Sequence, residues 1–201
     1  MLKKYVNTFL RIKYKCHCIF DGALLNCINI GCGNDIKLFW KNCDLISNKE
    51  EVTKFDATNL QDLEWLNRQN AHIINCDHMI GYLTIGQAHK FFKSCHNSLQ
   101  NNGKLILEFP DFNKICRLLE KLNYESPTVE ADYIEIVRAI YAYDAKDAYS
   151  SEFNMQTYIT AWTPEIIGII LKRIGFKTIN HSTPITHGQR IDRDSRIEAI
   201  K

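Results

Sequence analysis

The sequence predicts an α/β fold built around a largely parallel sheet, and three observations predict it. Apolar runs of strand length recur along the chain. Stretches with helical spacing of apolar residues fall between them. The first clear run, Leu24 to Ile30, ends abruptly in Gly31-Cys32-Gly33, in a chain that holds only nine glycines.

In order, the strand-like runs are LLNCINI (24–30), NCDLI (42–46), a short extended run into KFDAT, HIIN (72–75) and GKLILEF (103–109). Between the last two, GQAHKFFKSCHNSL (86–99) sets Ala88, Phe91, Phe92, Cys95 and Leu99 at helical spacing, so one face of that helix can cover a sheet. Pro164 opens PEIIGIILKRIG, where proline suits the first helical turn and Gly175 suits the end. FKTINHS (176–182) and SRIEAIK (195–201) follow, joined by a polar stretch with no helical pattern. A connection without a crossover suits antiparallel neighbours, whereas strand, helix, strand in the earlier part suits parallel ones.

Length and composition set limits. A chain of 201 residues, 45% hydrophobic, can bury a core as a single domain spanning 1–201. Its net charge of +2 gives no strong field for nucleic acid or an anionic membrane, so neither is expected as a partner. Charges interrupt MLKKYVNTFLRIKYK every few residues, which fits neither a signal peptide nor a membrane span. A cytoplasmic protein is expected, its eight cysteines reduced thiols. Cys16-His17-Cys18 is the one cluster with ligand-type residues, but no second pair follows at zinc-site spacing, and no metal is assigned.

The glycine turn carries the chemistry. A buried strand ending in GxG sits at the carboxyl edge of a parallel sheet, where glycine lets backbone N–H groups approach a nucleotide closely. Asp44 ends the next run and is placed to accept the hydroxyls of a ribose. Asp56 follows the third run and is placed to accept from an adenine amino group, with the backbone of Ala57 beside it. The third glycine of a dinucleotide fingerprint is Ile36 here, which disfavours NAD.

INIGCGNDIKLFWKNCDLI resembles the LNLGCG, short loop, GWxNxD block of class I S-adenosylmethionine-dependent methyltransferases, in particular small ones associated with sugar and surface-polysaccharide biosynthesis. HMIGYLTIGQAHKFFKSCHNSLQNNGKLILEFPDF is similar to that family's HVLEHL, helix, VLKPGGxLxIxVPDL segment. TAWTPEIIGIILKRIGF resembles its WTPExLxxLLxxAGF helix, and RDSRIEAIK its final RDLRIEAxK strand. The resemblance implies a Rossmann-like class I methyltransferase fold: a seven-stranded, mostly parallel sheet of order 3-2-1-4-5-7-6, its last strand antiparallel, with helices on both faces. Residues 123–156 match nothing in the family and read as a helical insertion over the acceptor side, rich in tyrosine: Tyr124, Tyr133, Tyr141, Tyr143 and Tyr149.

The implied cofactor is S-adenosylmethionine, with S-adenosylhomocysteine as product. Gly31, Cys32 and Gly33 lie beneath its methionine part, Asp44 at the ribose, Asp56 and Ala57 at the adenine, and Asn75 and Cys76 on the other side. A sulfonium methyl is already activated, so the protein mainly holds a nucleophile in line, with a base where the acceptor is a hydroxyl. The candidates are His78, beside Asp77 after the fourth strand, Asp111 after the fifth, and His187 in THGQRIDRD, where Arg190, Arg193 and Arg196 offer guanidinium groups to an anionic or sugar-like small-molecule acceptor. Three departures stand out. Gly81-Tyr82 replaces the family's Glu-His, Asn101-Asn102-Gly103 replaces its Pro-Gly-Gly turn, and Tyr158 stands where a histidine is usual. The first leaves a second expectation open, a catalytically degenerate domain that keeps the fold as a binding or partner subunit.

Overall fold

The computed structural model describes residues 19–20, 23–141, 157–186 and 190–201. Seven strands form one sheet: β1 (Cys27–Ile30), β2 (Lys41–Asp44), β3 (Val52–Lys54), β4 (Ala71–Asp77), β5 (Leu99–Pro110), β6 (Thr178–Ser182) and β7 (Asp194–Ile200). They lie in the order β3-β2-β1-β4-β5-β7-β6. The first five pair in parallel, and β7 runs antiparallel to both β5 and β6. This is the Rossmann-like arrangement that the sequence predicts, with the last strand inserted beside the fifth. A small antiparallel hairpin, Ile19–Phe20 with Ala23–Leu24, precedes the sheet.

The helices are α1 (Leu60–Asn67), α2 (Ile85–Ser98), α3 (Phe112–Glu120), α4 (Val129–Tyr141) and α5 (Pro164–Ile174). Thr84 and Gln87 close a capping box at the start of α2, so two orphan backbone donors are satisfied reciprocally. Thr163 caps α5, whose first residue is Pro164, and Gly175 ends it at φ 122°. The turn into the main run of β5 holds Asn102 at φ 63°, a conformation that asparagine tolerates. Of the tyrosine-rich insertion, α4 is described, while 142–156 lie outside the described residues, as do Cys16-His17-Cys18. Among the described residues no helix is long and apolar enough to cross a membrane.

Alternation along the strands gives the sheet two unlike faces. Ile28, Ile30, Cys43, Ile74, Cys76, Leu105, Leu107, Ile197 and Ala199 point into the main core, where Leu66 of α1, Phe91 and Phe92 of α2, and Ile167 and Leu171 of α5 cover them. The opposite face carries polar groups at its centre. Asn29, Asn42 and Asn75 are buried there side by side on β1, β2 and β4.

A strap before α5 docks on the turn after β4. Ile159 and Thr160 N–H groups donate to the Gly81 carbonyl, the Thr160 hydroxyl to the Leu83 carbonyl, Trp162 Nε1 to the Ile80 carbonyl, and the Tyr158 hydroxyl to the His78 carbonyl at 2.8 Å. A Cβ built on Gly81 would stand 2.6 Å from the Tyr158 ring. The Gly81 departure and the Tyr158 departure are therefore one packing decision, since any side chain at 81 evicts the ring. Gly81→Ala should cost about 1–3 kcal/mol of stability, because the ring can only move by breaking its hydroxyl bond. A double-mutant cycle in urea with Tyr158→Ala should recover most of that cost, since Gly81 itself needs no left-handed backbone.

The thiols follow the same burial logic. Cys27, Cys32, Cys43, Cys76 and Cys95 are buried and form no disulfide among the described residues, and Cys116 is half-buried. Burial pushes the Cys32 thiol up to about 11 and Cys43 up to about 12. At pH 8 only about 0.1% of Cys32 is then thiolate, so iodoacetamide should label Cys116 well before it. Peptide mass spectrometry should show the Cys32 rate climbing about tenfold per pH unit between roughly pH 8 and 10.

Candidate functional site

The turn after β1 is built on left-handed glycines, Gly31 at φ 68° and Gly33 at φ 49°. The Gly31 and Cys32 N–H groups donate to the Cys43 carbonyl, which ties the turn to the end of β2. A Cβ on Gly31 would lie 2.7 Å from the Met79 side chain, so that glycine is required twice over, by conformation and by space. Gly33 has open space where its Cβ would be.

Asp44 holds this turn rather than standing free. Its Oδ2 accepts from the Gly33 N–H at 2.8 Å, and its Oδ1 from the Ile46 and Ser47 N–H groups. Three of about four acceptor positions on the carboxylate are taken, leaving one on Oδ2 for a hydroxyl. Asp56 accepts from the Thr58 N–H and hydroxyl, and its own N–H is held by Asp62.

Burial narrows what two of the expected cofactor residues can offer. The Cys76 thiol points into the main core and is wholly buried, so a ligand at the strand edge meets its backbone and not its sulfur. The Ala57 methyl is likewise packed in that core, leaving the backbone that the sequence reading invoked. Asn75 is buried on the polar face, donating to Asn29 Oδ1 at 3.0 Å and Asp77 Oδ2 at 2.8 Å.

Beyond Asn75 the carboxyl edge carries a row of charges. Pairing aligns Asp77 with Glu108 of β5, and Glu108 with Arg196 of β7. Glu108 is fully buried and saturated by the Ile185 N–H, the Thr186 N–H and hydroxyl, and Arg196 at 3.3 Å. Lys37, almost fully buried, reaches Asp35 at 2.6 Å and Asp77 at 3.4 Å. Burial raises the Asp77 carboxyl above the usual range, against the pull of the Lys37 ammonium and the Asn75 amide.

His78 takes a left-handed conformation, φ 55°, immediately after β4, with its N–H on the Glu108 carbonyl. Its Nε2 stands 3.5 Å from Asp194 Oδ2. Asp194 is in turn gripped by the neighbouring Arg193 through two 2.7 Å bonds. Asp111 has a structural occupation: its Oδ1 caps α3 through the Asn113 N–H and its Oδ2 accepts from the Ser195 hydroxyl. The proposed ring of arginines is also corrected. Arg193 and Arg196 are buried in ion pairs with Asp194 and Glu108, and Arg190 faces Asp192 at 3.6 Å. His187 lies outside the described residues.

Between the end of β5, the strap and α4 runs a narrow apolar crevice, lined among others by Phe109, Phe112, Ile140, Tyr158 and Trp162. The described insertion tyrosines Tyr124, Tyr133 and Tyr141 are exposed, and α4 turns Ala139 and Ile140 to the crevice instead. Sequence reasoning missed Lys37, Asp194 and the Gly81–Tyr158 contact. Asparagines at alternate positions of apolar strands were the available signal for the polar face.

No family model matches the chain, and no curated protein matches it. Solved structures do. A SAM-dependent methyltransferase from Archaeoglobus fulgidus is 14% identical, aligning over 96% of this chain and 94% of that one with a TM-score of 0.56. A SAM-dependent methyltransferase from Methanosarcina mazei is 12% identical over 88% and 92% of the two chains, with a TM-score of 0.57. The magnesium protoporphyrin IX methyltransferase of Synechocystis, solved with bound SAH, is 14% identical over 88% and 74%, with a TM-score of 0.51. At such identities the likeness is one of fold: this chain has the Rossmann-like fold of class I methyltransferases.

Proposed function

We propose that the chain is an S-adenosylmethionine-dependent methyltransferase acting on a small molecule. The observation that carries the reading is the left-handed Gly31–Gly33 turn latched to Asp44 at the carboxyl edge of a β3-β2-β1-β4-β5-β7-β6 sheet. A ligand crevice belongs at that edge, where the first βα turn approaches a nucleotide. S-adenosylmethionine would rest on Gly31 to Gly33, with a ribose hydroxyl on Asp44 and the adenine toward Asp56 and the backbone of Ala57. When bound, the sulfonium supplies an activated methyl group. The residues of this chain then align the nucleophile and take its proton.

For the proton we assign His78, whose strained backbone is held by the Glu108 carbonyl and whose ring faces Asp194. Asp111 is assigned to helix capping. The acceptor would lie over the mouth of the crevice of Phe109, Phe112 and Tyr158, which is itself too narrow to enclose a ring but offers an apolar surface to one face of a small molecule. With Arg193 and Arg196 engaged, a phosphorylated acceptor has little support.

A degenerate binding subunit is the second reading, favoured by one observation: Tyr158 fills the space over Gly81, so the acidic side chain of the similar family's motif has no counterpart. Calorimetry separates the cases. Wild-type protein should bind S-adenosylhomocysteine saturably at one site, and no saturable binding would overturn both the enzyme reading and a cofactor-holding subunit. Binding without methyl transfer to any member of a small-molecule panel would favour the second reading.

Asp44→Ala removes both the latch on Gly33 and the acceptor at the ribose. Its dissociation constant for S-adenosylhomocysteine should rise about 10- to 100-fold, the loss of a charge-assisted hydrogen bond worth about 1.5–3 kcal/mol. An unchanged constant would place the nucleoside elsewhere.

A further inference from the structure

Tyr82 stands in two neighbourhoods at once. It ends the single 3₁₀ turn Ile80–Tyr82 that follows β4, with its N–H on the Met79 carbonyl. At the near end of that turn the Met79 side chain closes on Gly31, so tightly that a Cβ there would lie 2.7 Å away. At the far end the Tyr82 ring meets the Tyr158 ring, 4.6 Å between centroids at 68°. Tyr158 in turn lines the crevice over whose mouth the acceptor would lie. Burial raises the Tyr82 phenol above its usual range, and the nearby Asp44 carboxylate adds to the rise, so the group stays neutral.

Tyr82 is also open to a ligand. It is 41% exposed, whereas Ile80 and Gly81 of the same turn are buried. An edge-to-face pair occupies at most one face of either ring, so a π face of Tyr82 is left over from its contact with Tyr158.

The structure of the ligand puts its sulfur between these two neighbourhoods. The sulfur is bonded to the 5′ carbon of the ribose, whose hydroxyl is assigned to Asp44, and its methyl must point at the acceptor for in-line transfer. That sulfur carries a full positive charge before transfer and none after it. An aromatic face attracts a desolvated cation and is indifferent to a neutral thioether.

We propose that the face of Tyr82 receives the ligand's sulfonium, so that Tyr82 distinguishes the charged methyl donor from its neutral product. The assignment rests on the cofactor reading above. Tyr82 makes and breaks no bond, and its phenol keeps its proton. The role belongs to this chain's own departure from the similar family, whose motif has a histidine here: an imidazole repels the cation once protonated, and a phenol cannot. Loss of charge on transfer would then loosen the product and favour its exchange for fresh donor.

Calorimetry on the full chain compares S-adenosylmethionine with S-adenosylhomocysteine for wild-type protein, Tyr82→Phe and Tyr82→Leu. Tyr82→Phe keeps the π face and should hold the ratio of the two dissociation constants within about twofold of wild type. Tyr82→Leu keeps apolar bulk without π electrons. It should weaken S-adenosylmethionine about 3- to 30-fold and leave S-adenosylhomocysteine within about threefold. An unchanged ratio in Tyr82→Leu would overturn the assignment, and so would equal loss of both ligands, the mark of a residue that only packs. A second measurement keeps the ring and its fold contacts: phenylalanines carrying one, two and three ring fluorines at position 82 drain the π face stepwise. Affinity for S-adenosylmethionine should fall along that series while affinity for S-adenosylhomocysteine stays level, and a flat series for both would overturn the proposal. If wild-type protein binds neither ligand, it is the cofactor reading that fails.

Discussion

The shortness of the link between β1 and β2 governs much of this structure. Residues 31–40 contain no helix, so the backbone groups of that loop have no helical ladder to satisfy them. The asparagine row does this instead. Asn42 Oδ1 accepts from the Lys37 N–H at 2.9 Å, and its amide donates to the Lys37 and Trp40 carbonyls. Asn29 donates to the Asp35 carbonyl at 2.9 Å and to Asn42, and Asn75 donates to Asn29. A half-satisfied buried amide would be worse than an apolar side chain, so the three must work as one connected network. The same network aims the loop so that Gly31 to Gly33 meet Asp44, and it ends on Asp77. The polar face is thus the scaffold of the proposed ligand edge as well as a substitute for a helix.

The second organising fact is the direction of β7. Because it runs antiparallel, its first residues arrive at the same edge as the last residues of β4 and β5. That brings Asp194, Ser195 and Arg196 against His78, Asp111 and Glu108. Buried charges survive only when paired and hydrogen-bonded, and each of these is: Arg193 with Asp194, Arg196 with Glu108, Ser195 with Asp111. The arginines that looked like an acceptor's anion clamp are spent on this closure. Their charge is neutralised inside the fold, and the crevice beside them is left apolar.

The largely parallel sheet and its antiparallel end were readable because they depend on patterns that propagate along the chain: apolar runs, helical spacing, and a terminal pair without a crossover; the strand order is what the resemblance of the motif blocks implied. The glycine turn was readable for the same reason, since GxG after a buried strand has few uses. What escaped is non-local. Nothing in RIDRDSRIEAIK distinguishes arginines facing solvent from arginines facing Glu108, because the partner lies 88 residues away. Asp111 read as a candidate base because it follows a strand, yet the same position is also a helix N-cap, and the cap is what it performs. Helix α1 was missed although Asn59 precedes LQDLEWLN as an N-cap, accepting from the Gln61 and Asp62 N–H groups. The helix is short, and only Leu63 and Leu66 of it are buried.

The Gly81 and Tyr158 departures bear on whether the site is worn or rebuilt. Random decay at position 81 would leave a hole or a clash, with no reason for a distant position to match it. Here the matching ring fits flush against the glycine, stacks edge-on to Tyr82 at 4.6 Å between centroids, and donates to the carbonyl of His78. Burial holds the Tyr158 phenol well above its usual range, so it remains a neutral donor at physiological pH. Its bond pins the backbone of the one residue whose left-handed geometry turns an imidazole toward Asp194. A strap that fixes the orientation of His78 at the proposed ligand edge supports the proposed enzyme over the proposed binding subunit, because a subunit that only binds has no need for that orientation.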